Sequence, residues 1–293
     1  MSEEPRKDLV ETIKERGKTL EAEMSFFDHL EVLRWHLIRS AAAILIFTIL
    51  AFVYYDFIFD TIILGPKRTT FWTYRMMCEL TERFNLGPDF CIKDIRFDII
   101  NTEMAGQFTL QLNSSLLIGI ILGFPYLLYE VWRFVKPGLT EKESSSASGF
   151  VFFASLLFIA GLLFGYYIIA PLSINFLANY TVSEVIRNTI TIDSYLSTVA
   201  TLSIGAGITF ELPIIIYILS KLGIMTPAFM KASRRYATVL ILIIAAVVTP
   251  TPDLITMLTV SFPLFLLYEF SIIVSARVEK NRKKKEAAFY SQG

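Results

Sequence analysis

Six apolar segments, separated by charged or proline-rich stretches, leave this chain few ways to fold. They fall at about 37–57, 108–129, 149–170, 195–222, 236–248 and 254–276. About 20 helical residues cross a hydrocarbon core of about 30 Å, and a backbone in lipid must satisfy its own hydrogen bonds. The expectation is therefore an all-α membrane protein with six transmembrane helices. Composition agrees: of 293 residues, 54% are hydrophobic and 18% charged, where a soluble chain carries roughly 25% charge. Formal net charge is zero, so no bulk electrostatic argument favours nucleic acid.

The fifth segment is short. Its thirteen residues span about 20 Å as a helix, and Thr249-Pro250-Thr251-Pro252-Asp253 then stops it, because two prolines cannot continue a helix. A re-entrant hairpin would explain this. A true spanning pair beneath locally thinned lipid explains it better, since the flanking charges then give one consistent topology. The N-tail, the 131–148 loop, the 221–235 loop and the C-tail hold 19 Lys and Arg, against seven in the opposite loops. The strongest block is Arg277, Lys280, Arg282, Lys283, Lys284 and Lys285. Both termini are expected in the cytoplasm.

Residues 1–23 read as a polar extension with no obligatory core, residues 24–277 as the membrane domain, and 278–293 as a basic cytoplasmic tail. Met24 is a second candidate start, and residues 1–36 show no apolar h-region of a signal peptide. Ser25 with Asp28 reads as a helix N-cap, so an amphipathic helix is expected from Phe26, lying along the interface before turning into the bilayer. The 58–107 loop carries enough aromatic residues to form a folded exoplasmic cap, with a short helix near 73–84. Its Cys78 and Cys91 are candidates for a disulfide, formed in an oxidising compartment, against two independent thiols.

No hydrolase elbow, P-loop, HExxH or dinucleotide fingerprint occurs, and no cofactor, metal or enzyme activity is expected. His29 and His36 read as interfacial polar residues. Glu211, inside the fourth segment, is expensive in lipid and is expected to face a cavity or a partner. Pro213 predicts a bend beside it. Glu269 is expected to snorkel or pair locally, and Asp253 to cap the sixth helix. The stretch 124–143 combines an aromatic cluster, a Pro-Gly corner and an acidic end. With Glu31, Arg34, Arg133, Glu141 and Glu143 it forms a mixed cytoplasmic surface that could hold a basic peptide. A proton-coupled solute transporter centred on Glu211 should show internal repeats or a coupling-ion site, and neither is visible. An intramembrane hydrolase lacks its constellation.

Several separated motifs carry a resemblance. Phe27-Asp28-His29-Leu30-Glu31-Val32-Leu33-Arg34 resembles the His-Leu-x-Glu-Leu-Arg signature of the TatC family, the C subunit of the twin-arginine protein translocase. Tyr129-x-x-Trp132-x-Phe134-x-x-Pro137-Gly138-Leu139, followed by Glu143, resembles its first cytoplasmic loop. Ser194-Tyr195-Leu196 and Phe210-Glu211-x-Pro213 resemble its fourth span, and Thr249–Asp253 its last exoplasmic turn. The resemblance covers about 24–277. It implies a glove-like bundle of six helices with a concave face, and a receptor for signal peptides with consecutive arginines on folded cargo. It also implies self-association, assembly with TatA-type and TatB-type single-span subunits, and transport driven by the proton-motive force. By the same resemblance, Glu143 binds the arginine pair, Phe134 and Pro137 shape that surface, and Glu31 and Arg34 lie in its N-terminal part. Glu211 meets partner helices or the inserted signal peptide. Thr249, Asp253 and Met257, at the last turn and the start of the sixth span, touch partner helices. Two positions depart from the family pattern: Val32 stands where Glu is usual, and Met257 where Gln is often found.

Overall fold

A computed structural model describes residues 30–85, 91, 97–135, 147–183, 188–221, 223–249 and 254–290. Expectations that fall on Ser25–His29, Pro137, Glu141, Glu143 and Asp253 lie outside them.

The first span is helix α1, Leu30–Val53. It is one uninterrupted helix, so the expected turn between an interfacial segment and a span at Leu37 is absent from it. Residues Tyr55–Phe57 and a π-helical turn at Ile58–Ile63 carry the chain out of the bundle. The cap helix α2, Trp72–Phe84, lies within one residue of its expected place. Asn85 ends it at φ 49°, a left-handed position that Asn tolerates. Strand β1, Asp98–Ile100, leads to α3, Gly106–Val135. Helix α3 therefore runs through most of the stretch that the sequence suggested was a surface corner. The third span is α4, Ala147–Phe164, continued by a π-turn into α5, Ala170–Asn179.

Strand β2, Thr189–Thr191, pairs in parallel with β1, Asp98 facing Thr189. This two-stranded ladder was not expected. Three residues are too few to show a period of two, and the partners lie far apart in sequence. The fourth span is α6, Ile192–Phe210, and α7, Leu212–Lys221. The break falls at Glu211, two residues before Pro213, as the sequence suggested. A short helix α8, Pro227–Ala232, is capped by Thr226, whose Oγ1 accepts from Phe229 N at 3.3 Å. The fifth span is α9, Arg234–Val248, of 15 residues, about 22 Å long. The last helix, α10, Leu254–Tyr290, has 37 residues and continues through the basic tail.

Among the described residues five helices are long and apolar enough to cross a membrane; α9 falls short of that length. Their packing inverts the logic of a soluble bundle. Large apolar side chains such as Leu45, Ile46, Phe152 and Phe262 point outward, while Ser114, Ser115, Ser173, Ser271 and Ser275 are wholly buried. Small residues inside let backbones approach, which is how helices associate where lipid removes any hydrophobic gain. Gly119 shows the closeness of α1 and α3: a Cβ there would lie 2.8 Å from Thr48 N. Gly165 does the same between the third and fourth spans, where a Cβ would lie 2.6 Å from Leu202 O.

The cap is tied down by aromatic side chains and backbone carbonyls. Tyr74 is buried and donates to Pro66 O at 2.8 Å and to Pro171 O at 3.2 Å. Burial pushes its hydroxyl above the usual tyrosine range. Tyr195 donates to Ile63 O at 2.9 Å, and Phe71 stacks on Tyr167 at 5.4 Å. Cys78 and Cys91 are joined by a disulfide, their Cα atoms 4.4 Å apart. This closes the alternative of two free thiols.

Candidate functional site

Antiparallel helices give the bundle two ends. The start of α1 and the end of α3 share one, and the cap occupies the other. At the first end, His36 Nδ1 meets Glu130 Oε2. His36 is 9% exposed and Glu130 1%, so this is a buried polar tie between α1 and α3. The Tyr126 hydroxyl reaches the same carboxylate, and the Arg39 guanidinium adds positive charge nearby. Ser40 Oγ returns to His36 O at 2.9 Å on the same inward face. His36 is thus not the interfacial polar residue that its surroundings suggested. Glu130 was not singled out at all. The one signal was its place in the last turns of an otherwise apolar helix, between Tyr129 and Trp132.

The tie positions the surface around it. The His36 ring meets the Phe134 ring edge-on at 6.1 Å between centroids, so Phe134 is held against α1. Two residues before His36, Arg34 faces solvent, and its guanidinium lies 3.7 Å from Glu31 and 5.7 Å from the Trp35 ring centre. Side chains of Glu31 and Arg34 are 65% and 63% exposed. At that exposure their pairing contributes little to stability and leaves both groups open to a ligand. Val32, at the departure from the family pattern, is also exposed. The structure therefore brings Glu31, Arg34 and Phe134 to one end of the bundle. Pro137 and Glu143 belong to the sequence between α3 and α4, outside the described residues.

The second set lies deeper. Glu211 is 7% exposed, and its Oε1 has no hydrogen-bond partner among the described residues. It sits at the break between α6 and α7, with φ −75° and ψ −8°. Its own carbonyl accepts from Ile214 N at 2.9 Å, which starts α7 past the proline. A buried carboxyl without a partner is costly, so its retention here needs a reason other than stability. Thr249 is buried, and its hydroxyl donates to Ala245 O at 2.9 Å. Met257 packs on the cluster of Ile169, Leu202, Ala245 and Val260. Thr249 and Met257 belong to the hairpin at the cap end. Glu211 comes 19 residues after the start of α6, about 28 Å down its axis from that end. These residues therefore lie at different depths and do not form one cluster. Glu269 pairs with Arg234 at 2.7 Å, the local pairing expected of it. Among the described residues there is no group of His, Cys, Asp and Glu able to hold a metal.

Comparison with known proteins gives this geometry its setting. Residues 28–263 match the family described as Sec-independent protein translocase protein (TatC). The chain belongs to the TatC family. It is 37% identical over 261 residues to the Sec-independent protein translocase protein TatC of Blattabacterium sp. subsp. Periplaneta americana, covering 89% of this chain and 98% of that one. The Bacillus subtilis protein TatCy is 35% identical over 216 residues, covering 70% and 85%. A crystal structure titled as the twin arginine translocase receptor TatC in DDM superimposes with a TM-score of 0.64 at 30% identity, covering 84% of this chain and 99% of that one. A second such receptor structure gives 0.59 at 28% identity. The TatC fold is a glove-like bundle of six helices, and the fifth span α9 completes that number here, too short to be recognised by length alone.

Proposed function

We propose that this chain is the receptor and core scaffold of a twin-arginine protein translocase in the cytoplasmic membrane, with both termini in the cytoplasm. Residues 24–277 are its membrane domain. The reading rests on its TatC relatives, on the bias of Lys and Arg towards one set of loops, and above all on one contact. The buried His36–Glu130 tie holds Phe134 beside the end of α1 that carries the exposed Glu31 and Arg34, and Pro137 and Glu143 follow shortly after Phe134 in sequence. That end is an exposed, mixed-charge surface beside an aromatic ring, suited to an extended basic peptide.

On this surface Glu143 binds the consecutive arginines of a signal peptide, with Phe134 and Pro137 shaping the floor. Each guanidinium presents a planar fork that matches a carboxylate bidentately, which an ammonium does not reproduce. With Val32 in place of the usual acid, Glu31 is the carboxylate that the N-terminal helix offers. Residues one apart on a helix differ by about 100° in direction, so Glu143 carries the larger share of recognition. Glu211, Thr249, Asp253 and Met257 serve the TatA-type and TatB-type single-span subunits, and Glu211 also the inserted signal peptide. The separation in depth of Glu211 from Thr249 and Met257 fits a long helical partner better than a compact ligand. Folded cargo then crosses with the proton-motive force as the energy source.

Site-specific photo-crosslinking tests the reading. With a probe at Phe134, an Arg-Arg signal peptide crosslinks to the native chain, and Glu143→Ala abolishes capture while membrane insertion persists. A Lys-Lys peptide crosslinks poorly to either. Undiminished capture by Glu143→Ala would count against the assignment.

A further inference from the structure

One cavity plays no part in the reading above. It lies at the cap end, between the exit of α1, the start of α3 and strand β1, with a volume of about 720 Å3. Ligand clefts run to roughly 300–1,000 Å3. Its wall includes Tyr55, Asp56, Lys67, Gln107, Phe108 and Gln111. The polar groups are notable for what they lack. Among the described residues neither Asp56 nor Lys67 has an ion-pair partner. The Lys67 ammonium rests 5.4 Å from the centre of the Phe97 ring. The side-chain amides of Gln107 and Gln111 make no hydrogen bond among the described residues. One cavity thus offers an unpaired cation, an unpaired anion and two amides.

Its position says what kind of molecule can use them. The apolar run of α1 ends beside it, and Tyr54 and Phe57, both 66% exposed, mark the depth at which aromatic side chains border headgroups. From Phe108 on the wall, exposed Leu112 and Leu116 continue down one face of α3 at four-residue spacing, an apolar track into the bilayer. The site is polar with both signs at the interface and apolar below it.

We propose that this cavity binds a membrane phospholipid whose headgroup joins a phosphodiester to a primary ammonium, as in an ethanolamine phospholipid. Lys67 takes the phosphodiester, with Gln107 and Gln111 donating to its oxygens. Asp56 accepts from the ammonium, and the acyl chains follow Phe108, Leu112 and Leu116. A quaternary choline group has no N–H to give Asp56, and a phosphoglycerol headgroup has no cation for it. The proposal is independent of the translocase reading, because it uses neither end-surface residues nor Glu211.

Native mass spectrometry of the full chain in detergent, titrated with phosphatidylethanolamine, phosphatidylcholine or phosphatidylglycerol, tests it. The native chain retains one ethanolamine lipid about tenfold more avidly than either alternative, the size of one charge-assisted hydrogen bond. Asp56→Asn removes that preference and leaves lipid retention itself. Lys67→Ala reduces retention of all three about tenfold, and Lys67→Arg restores it. Thermal melting without added lipid establishes that each variant is folded, and Lys67→Gln replaces Lys67→Ala if the alanine variant is not. Equal retention of the three lipids by the native chain, or unchanged retention in both the Asp56 and Lys67 variants, overturns the proposal.

Discussion

His36 on α1 and Glu130 on α3 meet across 94 positions of sequence, both withdrawn from solvent. Removing one member strands the other. Breaking a buried polar pair costs about 3–5 kcal/mol, whereas replacing both by apolar groups of similar size is far milder. His36→Ala and Glu130→Ala should each lower the melting temperature of the detergent-solubilised protein sharply. The double variant His36→Leu with Glu130→Met should recover most of the loss. Additive losses in the double variant would show that the two do not act as a pair.

The glycine contacts make a second prediction. Gly165→Ala places a methyl group 2.6 Å from Leu202 O and 2.7 Å from Ser203 Cα, both backbone atoms that cannot swing aside. Overpacking of this kind costs about 1–3 kcal/mol. Gly149→Ala has nothing within 4 Å and is a matched control. Thermal unfolding followed by tryptophan fluorescence should separate the two clearly.

Glu211 should trade stability against function. With no partner for its Oε1 among the described residues, Glu211→Leu removes a buried polar burden and should stabilise the isolated protein by about 1–3 kcal/mol. The same change should weaken crosslinking to a single-span partner helix, and Glu211→Gln should fall between. Loss of stability in Glu211→Leu would mean that the carboxyl is satisfied within the bundle.

The disulfide closes a short loop in the cap, its cysteines 13 positions apart. Cys78→Ala releases that loop and should cost the cap about 3 kcal/mol. Non-reducing electrophoresis should show a mobility difference from the native chain that disappears on reduction. Limited proteolysis should cleave the variant within the cap before it cleaves the native chain.

Much of the fold is legible because lipid imposes lengths. Five of the six spans announce themselves by twenty or so apolar residues, and Pro213 marks the break beside Glu211. The cap helix falls where its amphiphilic pattern places it. The site is less legible for a physical reason. In water, apolar faces turn inward, and that rule would bury Leu37 and Ile38 of α1. In the structure both are exposed while His36 and Ser40 are buried. A polar residue on a membrane helix therefore points to the interior, and reading His36 as interfacial applied the wrong solvent to it. The partner Glu130 could not be named from sequence, because the pairing is a fact of tertiary packing. The start of α1 and the β1–β2 ladder were missed for a simpler reason. One is a continuous helix across a change of environment, and the other is a pair of three-residue strands.

Helix α10 is longer than any bilayer asks for. Its 37 residues extend about 55 Å against a hydrocarbon core of about 30 Å. Within the bundle it is fixed to α7 by the Ser220–Ser275 hydrogen bond at 2.8 Å and to α8 by Tyr268 at 2.9 Å. The remaining turns are a stiff mast rather than a tether. A load on its tip would be felt as torque at Ser275, and from there by the broken span that holds Glu211.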